Sequence, residues 1–178
     1  MQKRQRQDGY LNDSDKERME DLQRKISARE ISDDDSPTAW TINHDILFTL
    51  LCISFFADQE IDELEKDVIY ESFGKFSKDV THESFNSDFG LATRKFIDLK
   101  NEKSRQEQYV TSLINIKNSD ETDSNQLLRL IHAFIDIANA DEFIHDNEVL
   151  LIQNALTTWN LNIKINKPKS GDRLEIQE

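Results

Sequence analysis

A nine-residue segment occurs twice in this 178-residue chain, 83 positions apart. Ala57-Asp58-Gln59-Glu60-Ile61-Asp62-Glu63-Leu64-Glu65 returns as Ala140-Asp141-Glu142-Phe143-Ile144-His145-Asp146-Asn147-Glu148. Ala, Asp, Ile and the final Glu are identical, and the register continues to Ile69 and Ile152. Each copy follows one apolar helical pattern and precedes another, so the repeating unit is helix, acidic turn, helix. Two copies of one supersecondary unit predict a pseudo-symmetric arrangement.

The rest of the pattern agrees. Ile46, Leu47, Leu50, Ile53 and Ser54 recur at three and four, as do Leu64, Val68, Ile69 and Phe73. Phe85, Phe89, Phe96 and Leu99 mark one long or two short helices. Tyr109, Val110, Leu113 and Ile114 form a further stripe. Leu127, Leu128, Ile131, Phe134, Ile135 and Ala138 form a strong one, and Val149, Ile152, Leu156 and Trp159 the last. No segment alternates with period two, so strands are not expected. Each apolar stripe needs a covering element, which predicts an all-α bundle of about six or seven helices.

Three regions follow. Residues 1–36 form a polar N-terminal extension, partly helical or disordered. Ser14-Asp15-Lys16-Glu17 resembles a capping box within it. Asp33-Asp34-Asp35-Ser36 reads as a linker, with Pro37 suited to open the next helix. Residues 37–160 form the helical domain. Residues 161–178, which hold Pro168 and Gly171, read as a flexible C-terminal tail with room for a short extended piece.

Charge narrows the function. Lys and Arg number 22 against 35 Asp and Glu, a net −13, which disfavours nucleic acid as a partner. Most of the excess lies in residues 41–160, with 22 acidic and 10 basic side chains. The N-terminus shows no apolar secretion signal. The charge-free runs Ile46–Ala57 and Val149–Ile163 are shorter than the ~20 apolar residues that cross a bilayer. The single Cys52 lies in an apolar setting and reads as a buried structural thiol. The expectation is a soluble cytoplasmic protein whose partner is another protein.

No enzyme motif stands out. The glycines at 9, 74, 90 and 171 are too far apart for a phosphate-gripping loop, and no Gly-x-Ser-x-Gly elbow exists. No histidine pair or Cys–His cluster has zinc-ligand spacing. His132 reads as a half-buried, satisfied histidine on an apolar helix. Paired carboxylates serve glycosidases only across a cleft, which an acidic turn does not predict. No catalytic residue is assigned.

The turns themselves carry the candidate site. Asp62 and Glu65 suit a capping box, but Asp58 and Asp141 end helices, where a carboxylate opposes the macrodipole. Seven acidic residues lie between 57 and 71, opposed only by Lys66. Carboxylates in such numbers suit a hard divalent cation: calcium, magnesium or manganese. Asp58, Asp62, Glu65, Asp141, His145 and Glu148 are the candidate ligands, the two turns sharing one ion. An autonomous EF-hand fits poorly, because Ser54 and Phe56, and in the second copy Ile137 and Asn139, stand at the first and third ligand positions, so that most of the ligands are missing, and Gln59 and Glu142 replace the loop glycine. The competing reading is metal-free, with an acidic face docking a basic partner or a chaperone component.

Ala57, Asp58, Ile61 and Glu65, and again Ala140, Asp141, Ile144 and Glu148, resemble the paired Ala-Asp-Gly-x-Ile-x-x-x-Glu-like turns of the tellurite-resistance TerB-like family. The resemblance covers about residues 41–160. Gln59 and Glu142 replace the family's glycine, which marks a divergent member. The resemblance implies a helical fold of two related halves and a non-enzymatic binding or scaffold role in a bacterial stress response. It also implies divalent-metal sensing. Related domains occur attached to J-domain co-chaperones.

Overall fold

The computed structural model describes residues 39–58, 63–77, 79–140, 144–166 and 172–177, with backbone alone at 55–58 and 63–66. Contacts divide the chain between Pro37 and Thr38, and all described residues belong to the second unit. The expected Ser14 capping box, the acidic linker and Pro37 lie outside the described residues. Among the described residues six α-helices follow in order: α1 Ile42–Asp58, α2 Glu63–Phe76, α3 His82–Asp98, α4 Glu102–Asn118, α5 Ser124–Ala138 and α6 Asp146–Thr158. The all-α expectation holds for the bundle.

α1 is the centre of the described bundle. Every residue from Ile46 to Ser54 is fully buried. A helix that is apolar all round must be enclosed, and α1 packs against each of the other five helices. The single stripe read from Ile46, Leu47, Leu50, Ile53 and Ser54 was therefore too narrow. Phe48, Thr49, Leu51 and Cys52 are equally buried. Further contacts join α2 to α5, α4 to α6 and α5 to α6.

The remaining helices are one-sided, and the starts of α3 to α6 are capped. Thr81 and Ser84 form a reciprocal capping box that opens α3 as one helix. Asn101 Oδ1 accepts from Ser104 N–H at 2.8 Å to open α4. Asp123 and Gln126 exchange two bonds of 2.8 Å at the start of α5. α5 then buries Leu127, Leu130, Ile131, Phe134, Ile135 and Ala138, close to its predicted stripe.

α4 departs from the sequence reading. Tyr109, Ser112, Leu113 and Ile116 face the core, whereas Val110 and Ile114 are 40% and 45% exposed. A step of one residue turns a side chain about 100° round the helix, which carries this pair off the buried face.

α6 ends in a Schellman motif. Asn160 takes the left-handed conformation at φ 55. Its N–H donates to Thr157 O, and Leu161 N–H reaches back to Leu156 O at 3.0 Å. Beyond this point lies the short extended piece for which the sequence left room, paired here as two strands that no period-two alternation announced. β1 Lys164–Ile165 pairs antiparallel with β2 Ile176–Gln177. Leu174 is buried, and the Asn139 side chain grips its backbone from both sides, donating to its carbonyl at 3.0 Å and accepting from its N–H at 2.9 Å. The described part of the segment assigned to a flexible tail is thus fastened to the end of α5.

Candidate functional site

Each repeated segment lies at a junction between helices, the first between α1 and α2, the second between α5 and α6. Of the six candidate ligands, Asp62 and Asp141 lie outside the described residues. Asp58 closes α1 and Glu65 lies in the first turn of α2, both described by backbone alone. His145 and Glu148 are described in full. His145 has the extended backbone of a helix N-cap. Its N–H donates to Glu148 Oε2 at 2.7 Å, and its carbonyl accepts from Glu148 N–H at 3.1 Å. Glu148 is fully buried. One of its oxygens therefore satisfies an orphan donor at the start of α6, in the manner of the third residue of a capping box. Among the described residues no group of three His, Cys, Asp or Glu side chains is arranged to hold a metal ion.

A second polar cluster, not read from the sequence, surrounds the start of α1. Asp45 is buried and accepts three hydrogen bonds: from Trp40 Nε1 at 3.0 Å, Ser112 Oγ at 2.7 Å and Asn115 Nδ2 at 3.1 Å. Beside it, buried His44 accepts from Thr41 N–H through Nδ1 at 2.8 Å. The ring proton therefore belongs on Nε2, which lies 3.1 Å from Asp88 Oδ1 as a close electrostatic contact rather than an aligned hydrogen bond. Serine, histidine and aspartate thus meet, but Ser112 gives its hydrogen to Asp45 and none to His44. Ser112 is also fully buried, so its hydroxyl is out of a substrate's reach and the cluster joins α1 to α3 and α4 as a structural network.

Other titratable groups are shaped by the same packing. Burial pushes the Cys52 thiol well above its ordinary value, with the nearby Arg105 charge only partly opposing it. Cys52 is thus the inert buried thiol that its apolar neighbours predict. Burial also raises the Tyr109 phenol well above its usual range, and its hydroxyl donates to Leu151 O at 2.8 Å. Arg105 Nε donates to the carbonyls of Phe96 and Leu99, which close α3, and the guanidinium lies 4.2 Å from the Phe96 ring centroid. Burial lowers its pKa.

The surface offers two depressions of note. One, of about 500 Å³, lies between α4 and α6. Tyr109 and Leu151 floor it, and Val110, Leu150, Asn147 and Asn154 line it, with Glu102 and Glu107 at the α4 side. Leu150 is 53% exposed, and Ile114 continues the Val110 row by one turn. The other, between α2 and α5, contains His132. His132 is exposed there and makes no hydrogen bond among the described residues, contrary to its reading as a satisfied, half-buried side chain.

No family model matches the chain, and no curated protein or solved structure shows significant similarity to it. No described helix is long and apolar enough to cross a membrane.

Proposed function

We propose that this chain is a non-enzymatic binding domain of the TerB-like kind, docking a basic amphipathic helix of another protein along the α4–α6 groove. The carrying observation is that exposed Val110 and Leu150 line one depression, with exposed Ile114 one turn along α4 from Val110. Single exposed aliphatics are ordinary on a protein surface, but a contiguous apolar row around one depression marks an interaction site. An amphipathic helix fills such a groove with anchors at i, i+3 or i+4 and i+7. Glu102, Glu107 and the net charge of −13 favour a partner with basic flanks. A role in a bacterial stress response rests on the duplicated motif.

The test uses a model peptide with leucine anchors at that spacing and lysines elsewhere. Its titration is expected to shift the amide resonances of Val110, Ile114 and Leu150. Leu150→Asp is expected to weaken it about tenfold or more, as loss of a central anchor does. Equal binding of a glutamate-flanked version would refute the electrostatic part. Shifts away from α4 and α6 would refute the groove.

A second reading retains the divalent cation, supported by the repetition in the sequence of Asp58, Asp62 and Glu65 as Asp141, His145 and Glu148. Calorimetric titration with calcium, magnesium and manganese tests it. Absence of heat and of any melting shift at millimolar metal refutes it, because a ligand of the native state raises stability.

A further inference from the structure

The second depression, of about 410 Å³, is bounded by α2 and α5. Its walls carry Lys75, Arg129 and His132, and its floor carries Phe76, Leu130 and Ala133. Acidic side chains outnumber basic ones 35 to 22 in this chain, yet here two permanent cations and an imidazole converge on one hollow. None of the three makes an ion pair among the described residues, and all three are exposed at the rim. Leu130 and Ala133 are buried beneath them. A volume of this size falls within the range of small-molecule sites, which pair an apolar floor with a few placed polar groups.

We propose that this hollow binds a small amphiphilic anion: a single carboxylate or phosphate head on a short apolar body. Arg129 offers a planar fork for the head, Lys75 a point charge, and His132 an N–H donor in either protonation state. The apolar body lies over Phe76, Leu130 and Ala133. The remaining wall residue of α5, Asp136, sets the limit on charge. It lies seven residues beyond Arg129, about 10 Å along the helix axis. A second negative group on an extended ligand would approach that carboxylate and be repelled. The same carboxylate and the net charge of −13 argue against a nucleic-acid backbone here. The site is built from helices other than α4 and α6, so it stands apart from the protein-docking groove.

Hexyl phosphate, hexanoate, inorganic phosphate and neutral hexyl glucoside are titrated into the full chain while the His132 ring and the Leu130 and Ala133 methyl resonances are followed. Saturable shifts at these residues are expected with hexyl phosphate or hexanoate, and the stronger of the two identifies the preferred head. Inorganic phosphate is expected to bind more weakly, since it leaves the floor uncovered. Arg129→Gln and Lys75→Gln are each expected to weaken binding about tenfold, as loss of a charge-assisted contact does. Both residues are exposed, so unchanged melting of the variants shows that the fold is intact. Leu150→Asp is expected to leave the affinity unaltered, which separates this site from the groove. The proposal is overturned if hexyl glucoside binds as well as the anions, if both glutamine variants bind like the native chain, if no anion saturates, or if the shifts fall outside α2 and α5.

Discussion

Replacing Glu148 by alanine separates a structural role for the second turn from a metal-binding one. In the folded chain Glu148 Oε2 accepts from His145 N–H at 2.7 Å, and the side chain is completely enclosed. A hydrogen bond to a charged group contributes about 1.5–3 kcal/mol. A carboxylate in the first turn gains a further 0.3–1 kcal/mol or so from the macrodipole. Glu148→Ala is therefore expected to cost about 2–4 kcal/mol, or roughly 4–16 °C in melting temperature for a chain of this length. Glu148→Gln keeps an acceptor oxygen in place and should lose less than half as much, since glutamine also completes a capping box. Urea unfolding monitored by circular dichroism, with chelator and then with calcium, measures both. Equal losses in the two media support a cap. A loss below about 0.5 kcal/mol in chelator, growing severalfold in calcium and shared by glutamine, would overturn the capping argument and favour the cation.

Four further outcomes follow from the packing. Cys52 and Tyr109 have pKa values raised by burial, so the folded state keeps protons that the unfolded state releases. Stability should accordingly fall as pH rises through about 8.5 and again through about 10, the unfolded values of thiol and phenol. Disulfide-exchange labelling of Cys52 should require denaturant, and labelling of the native chain at pH 8 would contradict the burial. Asn139→Ala removes both side-chain bonds to the Leu174 backbone and should cost about 1–3 kcal/mol. Hydrogen exchange at the Leu174 amide should rise with it, and unchanged protection would show that the C-terminal ladder is held by other means. Asn160→Ala forces a Cβ-bearing residue without a local hydrogen-bonding group into the left-handed region and should cost about 1 kcal/mol, whereas Asn160→Gly should be near neutral in thermal unfolding.

Legibility in the sequence followed the range of the interactions. α5 was readable because Leu127, Ile131, Phe134 and Ala138 repeat with the helical period and have polar residues between them. α1 was readable as a helix but not as the centre, since uniform burial leaves no periodic contrast. Val110 and Ile114 looked like core because they adjoin Tyr109 and Leu113, and only the rotation of α4 tells the two pairs apart. Trp40 lies five residues from Asp45, but the rest of its shell had no local signature. Its partners Ser112 and Asn115 lie 67 and 70 residues away, and a polar pair so distant follows no periodicity. The role of Asn139 was hidden for the same reason, its partner lying 35 residues on. His145 and Glu148 were legible only as candidate ligands of the second turn, and the structure gives Glu148 the capping duty that the sequence suggests for Glu65 in the first.

The central position of α1 also bears on the duplication. α1 belongs to the first copy, yet it is shielded by α5 and α6 of the second as well as by α3 and α4. A fragment ending near residue 100 would retain α1 and lose three of its covers, presenting the greasy band from Ile46 to Ser54 to water. Such a band invites self-association. The helices that flank the two repeated segments therefore depend on one another, and a fragment holding only one copy of the motif is not expected to survive as a free-standing protein.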